Sequence, residues 1–143
     1  MILYLDTSAL VKLYVQEVGS ADVNDWLKDA DAAATSWVAY AEARAAFARG
    51  LREGITGREH HAERVGQFNR DWDALIRVEL TPPVARNAGD LAEVYGLRGF
   101  DSIHLASALW LRDKVNPAPV AFAAFDRRLL AAAAGAGLEC LIR

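Results

Sequence analysis

The sequence predicts an α/β fold in which a parallel sheet is covered by helices on both faces. Short apolar runs with β-branched or aromatic members alternate with longer segments whose apolar residues recur at helical spacing. This alternation is typical of parallel sheets, because their strands are joined by helical crossovers. A chain of 143 residues without an evident linker or repeat is of single-domain size. We therefore expect one domain over residues 1–143.

The strands are predicted from apolar runs that end at turn or capping residues. The first run, Ile2–Leu5, is continuously apolar and stops at an aspartate, which is typical of a buried strand. The run at 32–35 is weaker because it consists of small residues. The predicted strands cover 2–5, 32–35, 77–80, 120–125 and 138–142.

Helices are predicted where apolar residues recur every three or four positions. Thr7 and Ser8 can cap a first short helix, and Pro82 opens a later one because proline fits the first helical turn. Two long amphipathic helices flank a polar turn at 54–57, and the apolar face of the second runs from Val65 to Ile76. The other helices are predicted from about position 19 and over 82–95, 102–111 and 127–134, and the first long helix begins at Ser36.

Composition excludes several classes of protein. The content of 53% hydrophobic and 24% charged residues is ordinary for a globular chain and argues against disorder. The longest weakly polar stretch, 129–138, is about half of the ~20 residues that a membrane helix needs. The single cysteine, Cys140, has no partner for an internal disulfide, which fits a reducing compartment. We expect a cytoplasmic protein with no membrane partner and no secretory leader.

The distribution of charge allows an anionic ligand but does not demand one. The net charge is −3 and the pI is about 5.6, so the molecule is not a polycation built to coat nucleic acid. Positive charge is concentrated in the middle, since residues 44–86 carry eight arginines and six acids. Residues 1–36 instead carry six acids and two lysines.

Carboxylates follow two of the predicted strands. Asp6 follows the first strand and Asp126 follows the strand at 120–125, and the carboxyl ends of parallel strands meet at one edge of a sheet. Asp101 opens the apolar helix at 102–111, and Glu42 lies on the flank of a helical apolar stripe. Helix capping explains each aspartate taken alone, but it does not explain a carboxylate in mid-helix. We therefore expect these side chains to form one candidate catalytic and metal-binding site.

Converging carboxylates need a counter-charge. Two of them about 4 Å apart repel by roughly 4 kcal/mol at an effective dielectric near 20. Protonation or a bound cation relieves this repulsion. Because the donors are all oxygens, the cation that suits them is Mg²⁺ or Mn²⁺.

The stretches around these acids resemble PIN-domain ribonucleases, specifically the VapC-type toxins of toxin–antitoxin pairs. The resemblance covers essentially the whole chain and is carried by LDTSALV at 5–11, YAEAR at 40–44, DSIHLASA at 101–108 and FDRRL at 125–129. It implies a three-layer α/β/α fold with a central parallel sheet, a homodimer, and inhibition by a cognate VapB-type antitoxin. By motif, Asp6, Glu42 and Asp101 correspond to the core metal-site acids and Asp126 to a fourth, more variable one.

The same resemblance implies a Mg²⁺- or Mn²⁺-dependent endoribonuclease. Such an enzyme hydrolyses RNA phosphodiester bonds by in-line attack of water and leaves 5′-phosphate and 3′-hydroxyl ends. Thr7 and Ser8 are candidates to hydrogen-bond the phosphate, although helix capping explains both hydroxyls equally well. Arg44 and Arg127 are candidates to seat phosphates, as against ordinary solvated charges.

Other polar and aromatic residues receive structural interpretations. His104 lies three residues after Asp101 on an otherwise apolar helix, so we interpret it as a structural histidine rather than a metal ligand. The four tryptophans fall at helical spacing with apolar residues and are predicted to lie in the core or at a subunit contact rather than to stack on bases. The long helices between Trp37 and Ile76 are the expected site of dimer or antitoxin contacts.

Two alternative functions stay open from the sequence. One is a catalytically silent PIN-like module that binds RNA or protein. The other is a Mg²⁺-dependent phosphoryl-transfer domain, which also places aspartates at strand ends. A phosphatase of that kind expects a second aspartate two residues after the first, where this chain has Ser8. A receiver domain expects a lysine after its last main strand, and no lysine follows Phe125.

Overall fold

The computed structural model describes residues 1–142 and confirms the α/β prediction. Strands and helices alternate in the order that the apolar runs predict. In chain order the elements are β1 (Ile2–Leu5), α1 (Thr7–Val11), α2 (Ser20–Asp29), β2 (Ala32–Ser36), α3 (Val38–Arg52), α4 (Arg58–Trp72), β3 (Ile76–Val78), α5 (Pro82–Tyr95), α6 (Gly99–Val115), β4 (Val120–Ala123), α7 (Arg127–Gly135) and β5 (Glu139–Leu141).

The strands form one parallel sheet in the order β3-β2-β1-β4-β5. The central strand is β1, whose Tyr4 is in register with Ala34 of β2 on one side and Phe122 of β4 on the other. Helices α1 to α4 pack on one face of the sheet and α5 to α7 on the other. The predicted three-layer α/β/α arrangement is therefore confirmed.

Each face of the sheet carries its own apolar core, and β1 supplies both because its side chains alternate. Leu3 and Leu5 lie in the core beneath α1 to α4, where they join Phe47 and Phe68. Tyr4 lies in the other core with the apolar side chains of α6, α7 and β4. Burial on both faces is the reason that β1 reads as a continuous apolar run rather than an alternating one.

The strand order creates a crevice at one edge of the sheet. From β1 the chain proceeds outward through β2 to β3 and then returns to place β4 on the opposite side of β1. The order therefore reverses between β1 and β4, and open α/β sheets bind ligands at the carboxyl ends of strands flanking such a point. Asp6 follows β1, and Asp126 lies three residues beyond the end of β4.

Several predicted boundaries are wrong. Helix α4 ends at Trp72, so Ile76 does not continue its apolar face but begins β3, where it pairs with Ala34. Helix α6 begins at Gly99 and extends to Val115, beyond the predicted 102–111 at both ends. Strand β4 ends at Ala123, two residues before the predicted end. In each case the element ends where its backbone hydrogen bonds end, and an apolar side chain at the junction does not reveal that position.

Two of the four tryptophans do not lie in the core. Trp72 is buried, but Trp37 is 46% exposed and Trp110 is 39% exposed, so of the two predicted placements only the subunit contact stays open for these two residues. Cys140 lies half-buried in β5 as a small apolar residue, as the sequence indicates. No helix within residues 1–142 is both long and apolar enough to cross a membrane.

Candidate active site

Asp6 is a buried carboxylate at the N-cap of α1. Its Oδ1 accepts the Ala9 backbone N–H at 2.9 Å and the Ser8 hydroxyl at 2.7 Å. Burial raises the pKa of Asp6 and the negative charge of Asp101 raises it further, while the His104 charge and these two hydrogen bonds oppose that shift. The fold therefore disfavours a negative charge at this position unless a cation compensates it.

The capping interpretation holds for two of the three aspartates. Asp126 caps α7 by accepting the Leu129 backbone N–H at 2.9 Å. Asp101 does not cap α6, because the helix begins earlier and the capping position falls on Arg98. Asp101 instead lies in the first helical turn and accepts from the Arg98 Nε at 3.3 Å. Helix capping therefore does not explain the presence of a carboxylate at position 101.

Glu42 projects from α3 toward the start of α1. Its Oε1 accepts the Thr7 hydroxyl at 2.5 Å and lies 3.1 Å from the His104 Nε2. Partial burial alone would raise the pKa of Glu42, but these two hydrogen bonds outweigh it and lower the pKa. Glu42 is thus held in one orientation as a carboxylate.

His104 connects Glu42 to the interior of the protein. The imidazole is 2% exposed, and its Nδ1 lies 2.9 Å from the hydroxyl of the fully buried Tyr4. Its Nε2 also lies 3.0 Å from the Thr7 hydroxyl. The histidine is therefore part of the internal hydrogen-bond network, in accordance with its structural interpretation, but the group that it orients is a candidate catalytic carboxylate.

The predicted acids line one cleft of about 460 Å³, which we call the acidic cleft. They come from different parts of the chain and meet at the edge of the sheet where β1 and β4 end. In each acid, the hydrogen bonds engage one of the two carboxylate oxygens. The cleft is lined by Asp6, Glu42, Asp101 and Asp126 together with Thr7, Ser8, Val11, Lys12, Glu17, Ala46, Arg98, His104 and Phe125.

The donor set of the acidic cleft suits a hard divalent cation. Carboxylate oxygens are the ligands that Mg²⁺ and Mn²⁺ prefer, and a cation there would compensate the charge of Asp6, whose pKa is raised chiefly by burial. Within residues 1–142, no group of three histidine, cysteine, aspartate or glutamate side chains is arranged to hold a metal ion as it stands. The residues of the cleft that would hold such an ion are Asp6, Glu42, Asp101 and Asp126.

The remaining predicted site residues fall into two groups. Thr7 and Ser8 line the acidic cleft, but each hydroxyl donates its single proton to a carboxylate, Glu42 and Asp6 respectively. Arg44 and Arg127 do not line it. Arg44 bonds to the Tyr40 hydroxyl at 2.8 Å, and Arg127 is exposed at a separate cleft that shares only Phe125 with the acidic one.

Sequence reasoning missed Lys12 as a cation in the acidic cleft. Its Nζ pairs with Glu17 at 2.9 Å and lies 4.5 Å from the centre of the Phe125 ring. A usable signal was its spacing from Ser8, because residues four apart share one face of a helical turn. The cleft therefore combines carboxylates with two cationic side chains, Lys12 and Arg98.

The fold and the acidic cleft define an α/β domain with a carboxylate site at the switch point of its sheet. The family model of the PIN domain matches residues 3–135. Ribonuclease VapC45 and Ribonuclease VapC49, both from Mycobacterium tuberculosis, are each 40% identical to the chain over 136 residues, covering 95% of it and 92% of the relative. The chain therefore belongs to the PIN-domain family and groups with the VapC ribonucleases.

Solved structures show the same fold at lower identity. FitAcB from Neisseria gonorrhoeae superposes with a TM-score of 0.69 at 18% identity, covering 99% of this chain and 97% of that one. A toxin–antitoxin complex from Klebsiella pneumoniae superposes with a TM-score of 0.65 at 14% identity, covering 87% and 86%. These likenesses support the architecture of three layers around a parallel sheet.

Proposed function

We propose that the chain is a Mg²⁺- or Mn²⁺-dependent endoribonuclease that acts as the toxin of a toxin–antitoxin pair. The observation that carries the proposal is the convergence of Asp6, Glu42, Asp101 and Asp126 on one cleft at the switch point of the sheet. The relatives that share 40% of its residues are named ribonucleases, which selects RNA as the substrate. A silent binding module would not require four converging carboxylates.

The four carboxylates would hold the divalent ion. Bound there, it would supply positive charge that offsets the charge of the phosphate, and it would lower the pKa of water. Ser8 orients Asp6, while Thr7 and His104 orient Glu42. Lys12 and Arg98 supply the positive charge of the protein itself at the cleft, and they offset part of the repulsion between its acids and the phosphate backbone of RNA.

The test is the replacement of Asp6 or Asp101 by asparagine. Asparagine caps helices as well as aspartate does, so the charge is removed while the cap of α1 is kept. We expect either change to abolish RNA cleavage and to weaken Mn²⁺ binding, measured by sequencing RNA ends after pulsed expression and by titration calorimetry. Asp113→Asn is the matched control, because Asp113 lies on the same helix as Asp101 and outside the acidic cleft.

Undiminished cleavage by the Asp101→Asn protein would overturn the catalytic assignment. A large fall in melting temperature with unchanged Mn²⁺ binding would mean instead that these aspartates serve the fold. A chelator control separates metal-dependent cleavage from contaminating ribonuclease.

We further propose that the protein works in the cytoplasm as a homodimer and is inhibited by a VapB-type antitoxin. A structural neighbour is itself a toxin–antitoxin complex, which supports a partner of this kind. The helices α3 and α4 remain the proposed contact surface, and the exposed Trp37 at the start of α3 supplies apolar area there.

A further inference from the structure

A second cleft adjoins the acidic cleft and has no role in the function proposed so far. We call it the side cleft; its volume is about 520 Å³, within the range of ~300–1,000 Å³ common for small-molecule sites. It is lined by Glu42, Arg98, Gly99, Phe100, Asp101 and Ile103, so it shares Glu42, Arg98 and Asp101 with the acidic cleft. A ligand that spans both clefts would pass directly across two candidate catalytic carboxylates.

Phe100 gives the side cleft a flat apolar wall. Its side chain lies in the first turn of α6, next to Asp101, and is 56% exposed. A single exposed phenylalanine is ordinary on a protein surface. This one, however, lines a cleft beside the acids, so its exposed ring is within reach of a ligand bound there.

The charges of the side cleft favour a neutral, hydrogen-bonding ligand over a phosphate. Two carboxylates face one guanidinium, that of Arg98, and this guanidinium already donates its Nε–H to Asp101. Because Glu42 and Asp101 also belong to the proposed ion site, the hydrogen bonds to a ligand come from the remaining N–H donors of the Arg98 guanidinium, which suit the carbonyl oxygens and ring nitrogens of a base. A flat ring with polar edges matches this combination of groups.

We propose that the side cleft binds the base of the nucleotide next to the cleaved phosphate, stacked on Phe100. The inference rests on the proposed ribonuclease function and adds a base-recognition site to it. Only an unpaired base can enter, because bases of a duplex are stacked on one another. The side cleft therefore selects single-stranded RNA and imposes a base preference on one side of the cut.

The test compares Phe100→Leu with Phe100→Tyr. Leucine keeps an apolar side chain but removes the flat ring, whereas tyrosine restores the ring. Trp110→Leu is the control, because Trp110 is also an exposed aromatic residue on α6 but lies outside both clefts. Binding is measured in EDTA by the fluorescence anisotropy of a labelled single-stranded RNA of random sequence, and circular dichroism checks that each variant is folded.

We expect Phe100→Leu to bind the RNA about tenfold more weakly, the scale of one lost base stack. Phe100→Tyr and Trp110→Leu should bind like the wild-type protein. Sequencing of the RNA ends should show a base bias beside the cut that Phe100→Leu loses and the other two variants keep.

Equal affinity and an equal base bias in Phe100→Leu and the wild type would overturn this inference while leaving the ribonuclease proposal intact. Intact RNA after incubation with the wild-type protein and Mn²⁺ would overturn both. The two failures are therefore distinguishable in one set of measurements.

Discussion

At the scale of single residues, a chain of hydrogen bonds through Tyr4 and His104 orients the Glu42 carboxylate. Burial raises the pKa of Tyr4 well above its ordinary value, so the phenol keeps its proton and can donate it to the His104 Nδ1, which lies 2.9 Å away. With the phenol as donor to Nδ1, Nε2 is the nitrogen left to donate to the Glu42 carboxylate, 3.1 Å away. We therefore expect the buried tyrosine to select the tautomer of the histidine that orients a candidate catalytic acid.

Replacing Tyr4 by phenylalanine tests whether the phenol selects the tautomer of His104. The change leaves Nδ1 buried without its donor, which costs about 1–3 kcal/mol of unfolding free energy. We expect ¹⁵N NMR of the imidazole to show loss of the pure Nε2–H tautomer, and RNA cleavage to fall in kcat more than in KM. Denaturant unfolding measures the stability.

Tyr40→Phe is the matched control for the loss of a phenol. The Tyr40 hydroxyl bonds to Asn69 and Arg44 at the surface of α3, outside the acidic cleft. An unchanged imidazole spectrum in Tyr4→Phe would show that the phenol does not select the tautomer.

At the scale of elements, the turn into α2 supports one wall of the acidic cleft. Gly19 caps α2 with a φ of 96°, in the left-handed region that favours glycine. A Cβ at this position would lie 2.6 Å from the Phe125 ring, which lines the cleft. The helix start and the cleft wall are therefore coupled by one close approach.

Gly19→Ala should destabilise the protein and disturb the cleft. The left-handed backbone alone costs about 1–2 kcal/mol for a residue with a Cβ. Gly54→Ala is the control, because Gly54 has a φ of 72° but a methyl group there would meet no atom within 4 Å. We expect Gly19→Ala to lower the denaturation midpoint more than Gly54→Ala does. Of the two, only Gly19→Ala should slow RNA cleavage. Equal effects of the two substitutions would mean that the Phe125 side chain moves to accommodate the methyl group.

At the scale of the whole molecule, two apolar cores hold the acids at the crevice between β1 and β4. Each face of the sheet is packed independently, so the carboxyl edge of the sheet is rigid on both sides. The net charge of −3 includes Asp6, Glu42, Asp101 and Asp126, and one divalent cation bound among them would bring it to −1. A bound cation therefore relieves the local repulsion and makes the overall charge less negative, which favours RNA.

Mn²⁺ should raise the melting temperature of the wild-type protein. A ligand that binds only the folded state stabilises it by about 2.7 kcal/mol at a free concentration one hundred times its Kd. Asp101→Asn should lose most of this gain, whereas Asp113→Asn should keep it, as measured by calorimetric melting with and without EDTA. A wild-type melting temperature that is independent of Mn²⁺ would count against a metal in the acidic cleft.

Sequence reasoning located the acids because their positions follow from local rules. Asp6 and Asp126 follow strands of a parallel sheet, and such strands end at a common edge. Glu42 stood out because a charge on the flank of an apolar stripe needs a partner, and it has Thr7 and His104. Arg44 and Arg127 were harder to place, because a long side chain near an acid in sequence need not reach the site: Arg44 bonds to Tyr40, and Arg127 lines a separate cleft.

The sequence by itself determined the alternation of strands and helices, the parallel sheet and the set of acids, because each depends on local periodicity and on which residue follows a strand. The tertiary structure alone decided what surrounds those acids. Tyr4 and His104 are in hydrogen-bond contact although they lie 100 positions apart in the chain. Phe100 and Glu42 line one cleft only because the fold brings α3 close to the start of α6. Such contacts join residues that are far apart in the sequence. They depend on how helices pack across the sheet, which no local pattern of side chains predicts.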